Sequence, residues 1–409
     1  MGLDLGLEAA GFQTRVVVEI NKAAIETIKL NRPDLPYIDD SIINVATADL
    51  LEKAGIAKKE VAIVSGGPCC QSFSTAGKRG SLSDPRGELF REFCRVVREI
   101  RPRFFIMENV KGILSAAIKH RPLNERGPGH PPLGPDERLG SAFKLILKEL
   151  ADLNYYVIYG LLNAADYGVP QKRWRVVLIG SRDGEDICLP HPTHRNAELL
   201  NGHKRIHAWV TLQQALQGVE SKNWTTFSKE RAELLACLEA GQNWRDLPEL
   251  MHRKALGAAY DSWGGRSGFC RRLAWDQPAP TLTTAPDGRA TTLCHPEEVR
   301  PLSVEEYAAL QQFPAHWRFS GSLTQQYVQI GNAVPVGVGA AVGRMLRRVM
   351  RLADSTNAAK HLHRRGVVLC GDEALAERLK HQRVTQLNPP HLRDNPDPDE
   401  ARRWLEASA

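Results

Sequence analysis

Short apolar runs alternate with helix-like segments between residues 13 and 180, and this alternation restricts the chain to few folds. The runs "TRVVVEI", "VAIVS", "RFFIMENV", "YYVIYGLL" and "RVVLIG" are separated by segments such as "KAAIETIKLN" and "GELFREFCRVVREI". Buried parallel strands are typically continuous apolar runs, and strands that alternate with helices indicate a doubly wound sheet. The sequence therefore predicts an α/β fold with a doubly wound, mostly parallel sheet, in which ligands bind beyond the carboxyl ends of the strands.

The alternation is lost after residue 180. Trp, Arg, Gly and His become frequent, which predicts a smaller, irregular β-rich domain. A helical pattern returns in "SVEEYAALQQF", where Ser303 and Glu306 have the spacing of a capping box. A Pro/Gly-rich stretch over residues 121–140 predicts a long surface loop, either a lid or an insertion. We predict a first domain over 1–180, a second over 181–298, a return to the first over 299–350 and a polar extension over 351–409.

Composition limits the class of protein. Of 409 residues, 42% are hydrophobic and 25% charged, as in ordinary globular proteins. The apolar runs are too short to span a bilayer, and the N-terminus lacks the pattern of a signal peptide, so we expect a cytoplasmic protein without membrane contact. The eight cysteines lack zinc-type spacing, and His361, His363, Cys370 and His381 fit no standard zinc pattern, so no metal is predicted.

Charge favours a polyanionic partner. The formal net charge is +7, which attracts nucleic acid but does not by itself identify it. Residues 351–409 hold ten basic and nine acidic residues. The basic excess therefore belongs to the folded body of the chain and not to its polar extension.

The loop "GGPCCQSFS" follows the run "VAIVS" and contains two adjacent cysteines, Cys69 and Cys70. A loop that leads from a strand toward a helix N-terminus supplies NH groups that lower the pKa of a thiol, and the thiolate is the nucleophilic form. The flanking glycines allow a tight turn and the close approach of a flat substrate. The loop predicts a nucleophilic site, and a pair of buried structural cysteines is the alternative.

Two further motifs place charged residues at the same edge of the sheet. The run "RPRFFIMENV" leads to Glu108 and Asn109, where a partly desolvated carboxyl group can donate a proton or a hydrogen bond. The motif "QKRWR" places Arg173 and Arg175 two residues apart, and strand alternation sends such a pair to one face, where it could hold a carbonyl or phosphate oxygen. Each motif alone also fits an ordinary role, a helix cap for Glu108 and a solvated basic edge for the arginines.

Together these motifs have the order and approximate spacing of one family. The loop "GGPCCQSFS", the strand end "ENV", the "QKRWR" pair, the segment "RPLSVEEYAALQQFP" and the later "QIGNAVP" follow one another along the chain. From about residue 2 to residue 350, the chain resembles the bacterial DNA (cytosine-5)-methyltransferases. The resemblance implies a Rossmann-like, S-adenosylmethionine-dependent methyltransferase fold with a target-recognition domain over residues 181–298.

The resemblance implies a reaction at carbon 5 of a cytosine. Cys70 matches the family nucleophile, which adds to carbon 6, and Cys69 stands where the family has a second proline. Glu108 matches the residue that bonds ring nitrogen 3, and Arg175 matches the arginine that contacts the oxygen at position 2, with Arg173 beside it. The implied catalytic residues are Cys70, Glu108, Arg173 and Arg175.

The resemblance also implies a site for S-adenosylmethionine. Glu19 ends the strand "VVVEI" and suits the ribose hydroxyls, as acidic residues do at the ends of nucleotide-binding strands. Asp40 is assigned to the adenine contact. The implied cofactor-binding residues are Gly2, Leu3, Glu19, Ile20, Asp40, Cys69, Leu89 and Asn332.

Double-stranded DNA is the implied partner. Carbon 6 is hidden in a stacked duplex, so the reaction requires the base to be flipped out. The segment "RRLAWDQPAPTLTT" resembles the threonine-leucine segment of the family's recognition domain. The implied DNA contacts are Gln71, Ser74, Arg271, Arg272 and Thr281. The family further implies a monomer on DNA and an association with a companion restriction endonuclease.

Two alternatives to this function remain. The segment "GLDLG" resembles the second half of the family's first motif, and the strand and Phe-x-Gly-x-Gly turn of its first half have no counterpart in residues 1–409. We expect upstream residues to supply them, and a catalytically impaired DNA-binding relative is the alternative. Transfer to a tRNA cytosine is the other alternative, against which the length of residues 181–298 argues.

Overall fold

The computed structural model describes residues 1–68, 88–122, 125–200, 205–261, 268–356, 362–372 and 375–376. In this part of the chain, no helix combines the length and the apolar character needed to cross a membrane. The strands are β1 Val17–Glu19, β2 Tyr37–Asp39, β3 Ile63–Gly66, β4 Phe104–Val110, β5 Tyr156–Asn163, β6 Gln171–Lys172, β7 Trp174–Ser181, β8 His194–Arg195, β9 His207–Ala208, β10 Ala279–Pro280 and β11 Val368–Cys370. The helices are α1 Gly2–Ala9, α2 Lys22–Asn31, α3 Thr47–Ala54, α4 Glu88–Ile100, α5 Ser141–Ala151, α6 Leu212–Leu216, α7 Lys229–Ala236, α8 Glu249–Leu256, α9 Val304–Leu310, α10 Leu323–Asn332 and α11 Val336–Thr356.

A five-stranded sheet in the order β11-β5-β7-β4-β3 forms the centre of the fold. The pairs β3–β4 and β11–β5 are parallel, whereas β7 runs antiparallel to both β4 and β5. The α/β class is confirmed, and the sheet is mixed where a mostly parallel one was expected. The cause is the short connection of residues 164–173 between β5 and β7, which leaves no room for the crossover helix that a parallel pair needs.

Helices cover both faces of this sheet, as a doubly wound fold requires. Side chains alternate along a strand, so β4 sends Phe105 and Met107 to one face and Phe104 and Ile106 to the other. The first face packs against α4 and α5, and the second packs against α1 and α11. All four side chains are fully buried, which explains why the strand is continuously apolar in sequence.

β1 and β2 form a separate parallel pair, in which Glu19 is aligned with Asp39 at the carboxyl ends. Val18 of β1, Ile38 of β2 and Val64 of β3 pack on one apolar cluster together with residues of α3 and α4. The pair therefore shares a helical layer with the main sheet, although among the described residues no ladder joins it to β3.

The last part of the described chain packs on the main sheet. α11 begins at Val336 and ends at Thr356, and β11 pairs in parallel with β5 at the edge of the main sheet. β11 lies within residues 351–409, which were expected to form a polar extension. A three-residue edge strand is too short to produce a periodic signal in the sequence.

Residues 181–298 are irregular in their described part, as predicted. Their longest regular elements are the helices α6, α7 and α8, since β8, β9 and β10 contain two residues each. Leu234, Leu235, Leu238, Cys270 and Cys294 form a small apolar core of their own. The expected β-rich character is therefore not found in the described residues of this region, where short helices and loops predominate.

The predicted capping box at the start of α9 is confirmed. Ser303 Oγ accepts a hydrogen bond from the backbone N–H of Glu306 at 3.1 Å, and the backbone N–H of Ser303 donates to Glu306 Oε2 at 2.6 Å. These reciprocal bonds fix the point at which the chain returns to a helical pattern.

Candidate active site

Three strand ends meet at one edge of the main sheet. β4 ends on Val110, which lies opposite Arg175 near the start of β7. β3 ends on Gly66, beside Met107 of β4. Because β7 is antiparallel, its first residues reach the edge where the parallel strands end. This geometry brings the "ENV" and "QKRWR" motifs together.

Glu108 and Arg175 form a buried ion pair at this edge. Arg175 Nε lies 2.6 Å from Glu108 Oε1, and the two side chains are 10% and 11% exposed. Arg175 also donates through Nη1 to the carbonyl of Trp174 at 2.9 Å. The structure thus brings together two of the four predicted catalytic residues.

The environment of Glu108 changes its acidity. Burial raises the pKa of its carboxyl group, and the positive charges of Arg175 and Arg173 offset this effect only in part. Among the described residues, Arg175 is its bonded partner. A raised pKa keeps the carboxyl group protonated to a higher pH, in the form that can donate a hydrogen bond to a ligand.

The first residues of the cysteine loop lie against this carboxyl group. An ideal Cβ at Gly67 would stand 3.1 Å from Glu108 Oε2, so glycine leaves space beside that oxygen. Asn109 Nδ2 donates to the carbonyl of Pro68 at 3.1 Å. This bond ties the end of β4 to the chain just before the two cysteines. Cys69, Cys70, Gln71 and Ser74 lie outside the described residues.

Among the described residues, Arg173 binds carbonyls that Arg175 does not, although strand alternation predicted a pair on one face. Its guanidinium donates to the carbonyls of Leu282 at 2.8 Å, Gly331 at 2.6 Å and Ala333 at 3.1 Å. The alternation argument fails because Arg173 lies between β6 and β7, where the chain passes from one ladder to another.

Two acidic residues lie at the neighbouring ends of β1 and β2. Glu19 Oε1 accepts from the backbone N–H groups of Ile20 at 2.9 Å and Asn21 at 2.8 Å. Asp40 follows β2, and its Oδ1 accepts from the N–H of Ser41 at 2.6 Å. Ile20 is 66% exposed. Carboxylates beside exposed apolar surface suit a ligand with hydroxyl groups and an apolar ring, such as a nucleoside.

Gly2 and Leu3 lie in α1 against the turn that follows Asn332. An ideal Cβ at Gly2 would stand 1.8 Å from the carbonyl oxygen of Val334, so only glycine allows this approach. Asn332 ends α10 and is exposed, and Leu89 near the start of α4 is half-buried. The structure therefore places Gly2 and Leu3 beside the turn after Asn332.

Of the three DNA contacts predicted within residues 181–298, Arg272 and Thr281 have hydrogen-bond partners within the protein. Arg272 is buried and donates to two backbone carbonyls of the same region at 2.6 Å. Thr281 Oγ1 donates to the carbonyl of Lys172 at 2.8 Å. Burial lowers the pKa of Arg271 to about 10. Arg272 thus joins backbone segments within residues 181–298, whereas Thr281 joins these residues to Lys172 of β6.

Two buried glutamines at this edge were not singled out by the sequence analysis. Gln171 Nε2 donates to Gln311 Oε1 at 3.1 Å, and neither side chain is exposed. The signal that could have identified Gln311 is an amide within the apolar stretch "YAALQQF", because a buried amide requires partners.

Comparison with known proteins identifies the family that carries this site. A model of the C-5 cytosine-specific DNA methylases matches residues 1–348, a range that contains every residue of the candidate site. The chain belongs to this family. It is 37% identical to the type II methyltransferase M.Sau96I of Staphylococcus aureus over 345 residues, which cover 84% of this chain and 73% of that protein.

Further similarities agree with the family. The chain is 34% identical to the type II methyltransferase M.Eco47II of Escherichia coli over 361 residues, which cover 87% of this chain and 78% of that protein. A solved structure of a prophage-encoded E. coli protein, described as a DNA modification methyltransferase, has a TM-score of 0.57 at 22% identity and covers 86% of this chain and 96% of that one. The latter similarity shows the shared fold.

The chain is a DNA (cytosine-5)-methyltransferase. Enzymes of this family use S-adenosylmethionine and act through a covalent cysteine adduct at carbon 6 of a flipped-out cytosine. The resemblance recognised in the sequence, the enzyme class and the methyltransferase fold are thereby confirmed.

Proposed function

We propose that Cys70 is the nucleophile and that Glu108 and Arg175 activate the cytosine that it attacks. The observation that carries this proposal is the buried Glu108–Arg175 pair, because the carboxyl group of Glu108 lies beside Gly67, three residues before Cys70. Carbon 6 of cytosine is a poor electrophile, so a thiolate adds to it only when the negative charge that develops on the ring is stabilised.

Glu108 and Arg175 provide complementary donors for that ring. The protonated carboxyl group of Glu108 donates to ring nitrogen 3, and the guanidinium of Arg175 donates to the oxygen at position 2. Addition of the Cys70 sulfur to carbon 6 then makes carbon 5 nucleophilic. After carbon 5 is methylated, it loses its proton, the bond between carbon 6 and sulfur breaks, and the thiolate leaves as aromaticity returns.

The ends of β1 and β2 fit the nucleoside part of the cofactor. Glu19 accepts hydrogen bonds from the ribose hydroxyls, Ile20 covers the adenine ring and Asp40 accepts from the adenine amino group. S-adenosylmethionine, when bound, supplies the methyl group. The other residues proposed to line its pocket are Gly2, Leu3, Cys69, Leu89 and Asn332.

The DNA substrate is proposed to bind as a duplex whose target base flips out. Flipping requires a few kcal/mol of unstacking energy, and the basic body of the protein offsets part of it through phosphate contacts. Gln71 and Ser74 are proposed to contact the DNA from the cysteine loop. In the recognition region, Arg271 is proposed to contact DNA, and Arg272 and Thr281 to shape the surface that does so.

The remaining proposals concern organisation and context. We propose that residues 1–180 and 299–350 form the catalytic domain, that residues 181–298 recognise the target and that a monomer acts on DNA in the cytoplasm. M.Sau96I and M.Eco47II are named type II methyltransferases, which supports a companion restriction endonuclease.

The decisive experiment traps the covalent intermediate. The protein is incubated with S-adenosylmethionine and with DNA duplexes or tRNA that carry 5-fluorocytosine, because fluorine at carbon 5 blocks the proton loss that releases the enzyme. We expect mass spectrometry to locate an adduct with DNA on Cys70. The variant Cys70→Ser should form none, whereas Cys188→Ser, which changes an exposed cysteine, should react as the wild type does.

Other outcomes would change the proposal. An adduct on a different cysteine would refute the assignment of Cys70. An adduct with tRNA alone would establish the tRNA alternative. DNA binding without any adduct or any cofactor binding would establish a DNA-binding relative without catalysis.

A further inference from the structure

One buried arginine joins three distant parts of the chain beside the active edge. Arg173 is 1% exposed, and its guanidinium donates to carbonyls of Leu282, Gly331 and Ala333 at 2.8, 2.6 and 3.1 Å. Leu282 belongs to the recognition region, and Gly331 and Ala333 lie at the end of α10. A single side chain therefore holds both segments to the chain that leads into β7 and Arg175.

Two glutamines extend this contact. Gln171 donates to Gln311 and accepts from the backbone N–H of Leu282 at 3.0 Å. Gln311 Nε2 donates to the carbonyl of Ile330 at 2.7 Å. We call Gln171, Arg173 and Gln311 the junction. All three are buried, so bonds within the protein determine the spacing of the segments that meet there.

The backbone of Arg173 is held without its side chain. Its N–H donates to Asn163 Oδ1 at 3.2 Å, and its carbonyl accepts from the N–H of Ala164 at 2.9 Å. β7 is also paired on both sides, with β4 and β5. The position of β7 therefore does not depend on the guanidinium. The Arg173 side chain instead positions the two segments that it binds.

Both segments lead to groups of the proposed site. Thr281 precedes Leu282, and β10 pairs with β6 immediately before it, so the DNA side is fixed to the catalytic edge. Asn332, on the cofactor side, lies between Gly331 and Ala333, whose carbonyls Arg173 binds. A displacement of about 1 Å in reacting groups can slow catalysis about 100-fold. The junction is therefore placed to control the rate without touching the substrate.

We propose that Arg173 is a positioning residue, which fixes the recognition region and the turn at Asn332 relative to the Glu108–Arg175 pair. This inference rests on the proposed methyl transfer. It replaces the role beside Arg175 that the family resemblance implied for Arg173. Lysine should not substitute, because its ammonium group is a compact point charge that lacks the planar fork by which Arg173 reaches three carbonyls.

The test compares Arg173→Lys with Arg182→Lys. Arg182 follows the other end of β7, donates to the carbonyl of Arg101 at 3.0 Å and pairs with Asp183 at 2.8 Å. For both variants we measure thermal unfolding and the DNA dissociation constant with its salt dependence. We also measure the rate of adduct formation at saturating 5-fluorocytosine DNA. We expect Arg173→Lys to slow adduct formation about 100-fold with an unchanged salt dependence, and Arg182→Lys to react at the wild-type rate.

Three results would overturn the positioning role. Arg173→Lys could lower only the unfolding temperature, which would mean a purely structural role. It could lower DNA affinity and flatten the salt dependence with no change in rate, which would mean a phosphate contact. If it does not fold, Gln311→Met removes the donor to Ile330 at similar volume, and a wild-type rate for this variant would refute the proposal.

The behaviour of the wild-type protein distinguishes failure of this inference from failure of the proposed function. Failure of the proposed function appears as the absence of an adduct in the wild type as well as in every variant. Failure of the positioning role appears as equal adduct rates in the wild type and in Arg173→Lys.

Discussion

Two buried glutamate–arginine pairs, one in each half of the molecule, have opposite electrostatic character. Glu108 at the catalytic edge is bonded to Arg175 through one nitrogen at 2.6 Å. Glu306 at the start of α9 binds both terminal nitrogens of Arg300, each at 2.9 Å. Both glutamates are buried residues, so burial alone does not distinguish the two pairs.

The pKa values of the two carboxyl groups shift in opposite directions. Burial raises the pKa of Glu108, and Arg175 does not outweigh it. Burial also acts to raise the pKa of Glu306, but bonds from Arg300, Ser303 and Ser221 outweigh this effect and lower the pKa. The number of donors around each carboxylate therefore decides which protonation state the fold favours.

This difference separates a group that can act on a substrate from one that stabilises the fold. Among the described residues Glu108 has a single bonded partner, so its second oxygen remains available to a ligand. Glu306 has its acceptors occupied by Arg300, Ser303 and Ser221. Five predictions test this contrast.

The largest effect is expected for Glu108→Gln. The amide can donate a hydrogen bond but not a proton, so methyl transfer to DNA should slow about 100- to 10,000-fold. Because the substitution also removes the acidic partner of the buried Arg175, thermal unfolding is measured as well and the rate is compared at a temperature where the variant is folded. Single-turnover transfer of labelled methyl groups measures the rate, and a wild-type rate would contradict the role of Glu108.

The next effect is expected for Glu306→Gln. This change leaves the charge of Arg300 buried with only the exposed Glu298 as an acidic partner, so unfolding should become easier by about 3–5 kcal/mol. Urea unfolding measures the loss. The rate of methyl transfer should be unchanged at a temperature where the variant is folded. A slower rate there would contradict the proposal that Glu306 serves only the stability of the fold.

High pH should lower the rate of methyl transfer through Glu108, whereas low pH should lower the stability contributed by Glu306. Glu108 acts when protonated, so the rate should fall as the pH rises through its raised pKa, by up to tenfold per pH unit. In Glu108→Gln this falling limb should disappear. A falling limb that persists in the variant would assign it to another group.

Glu306 should affect stability at the opposite end of the pH range. Its folded pKa is lowered, so its contribution is present above the ordinary value of about 4.3 and is lost as the pH falls through the folded value. The difference in unfolding free energy between the wild type and Glu306→Gln should therefore shrink on acidification. Urea titrations at a series of pH values test this, and a constant difference would contradict the assignment.

The smallest effect is expected for Ser221→Ala. It removes one donor to Glu306, at 2.8 Å, and should destabilise the protein by about 1–2 kcal/mol because the lost bond is to a charged group. Urea unfolding measures the change against Ser355→Ala, which removes an exposed hydroxyl bonded within its own helix. Equal losses of unfolding free energy in the two variants would mean that the Ser221 hydroxyl does not stabilise Glu306.

Much of the candidate site could be predicted because its signals are local. The capping box of Ser303 and Glu306 depends on residues three apart, and the apolar run of β4 leads directly to Glu108. The placement of Arg175 was also correct, since it needs only that its strand reach the same sheet edge. The strand directions in the sheet could not be predicted from local signals, because the antiparallel direction of β7 depends on which strands become neighbours.

The residue sequence by itself determined the α/β class, the edge at which the motifs meet and the family to which the chain belongs. Only the tertiary structure decided what each charged group binds. Arg173 and Arg175 are equivalent in the sequence pattern, yet one binds carbonyls 109, 158 and 160 residues away and the other binds Glu108. The reason is physical: burial, donors and distances are set by segments that meet only after folding, and no local pattern records them.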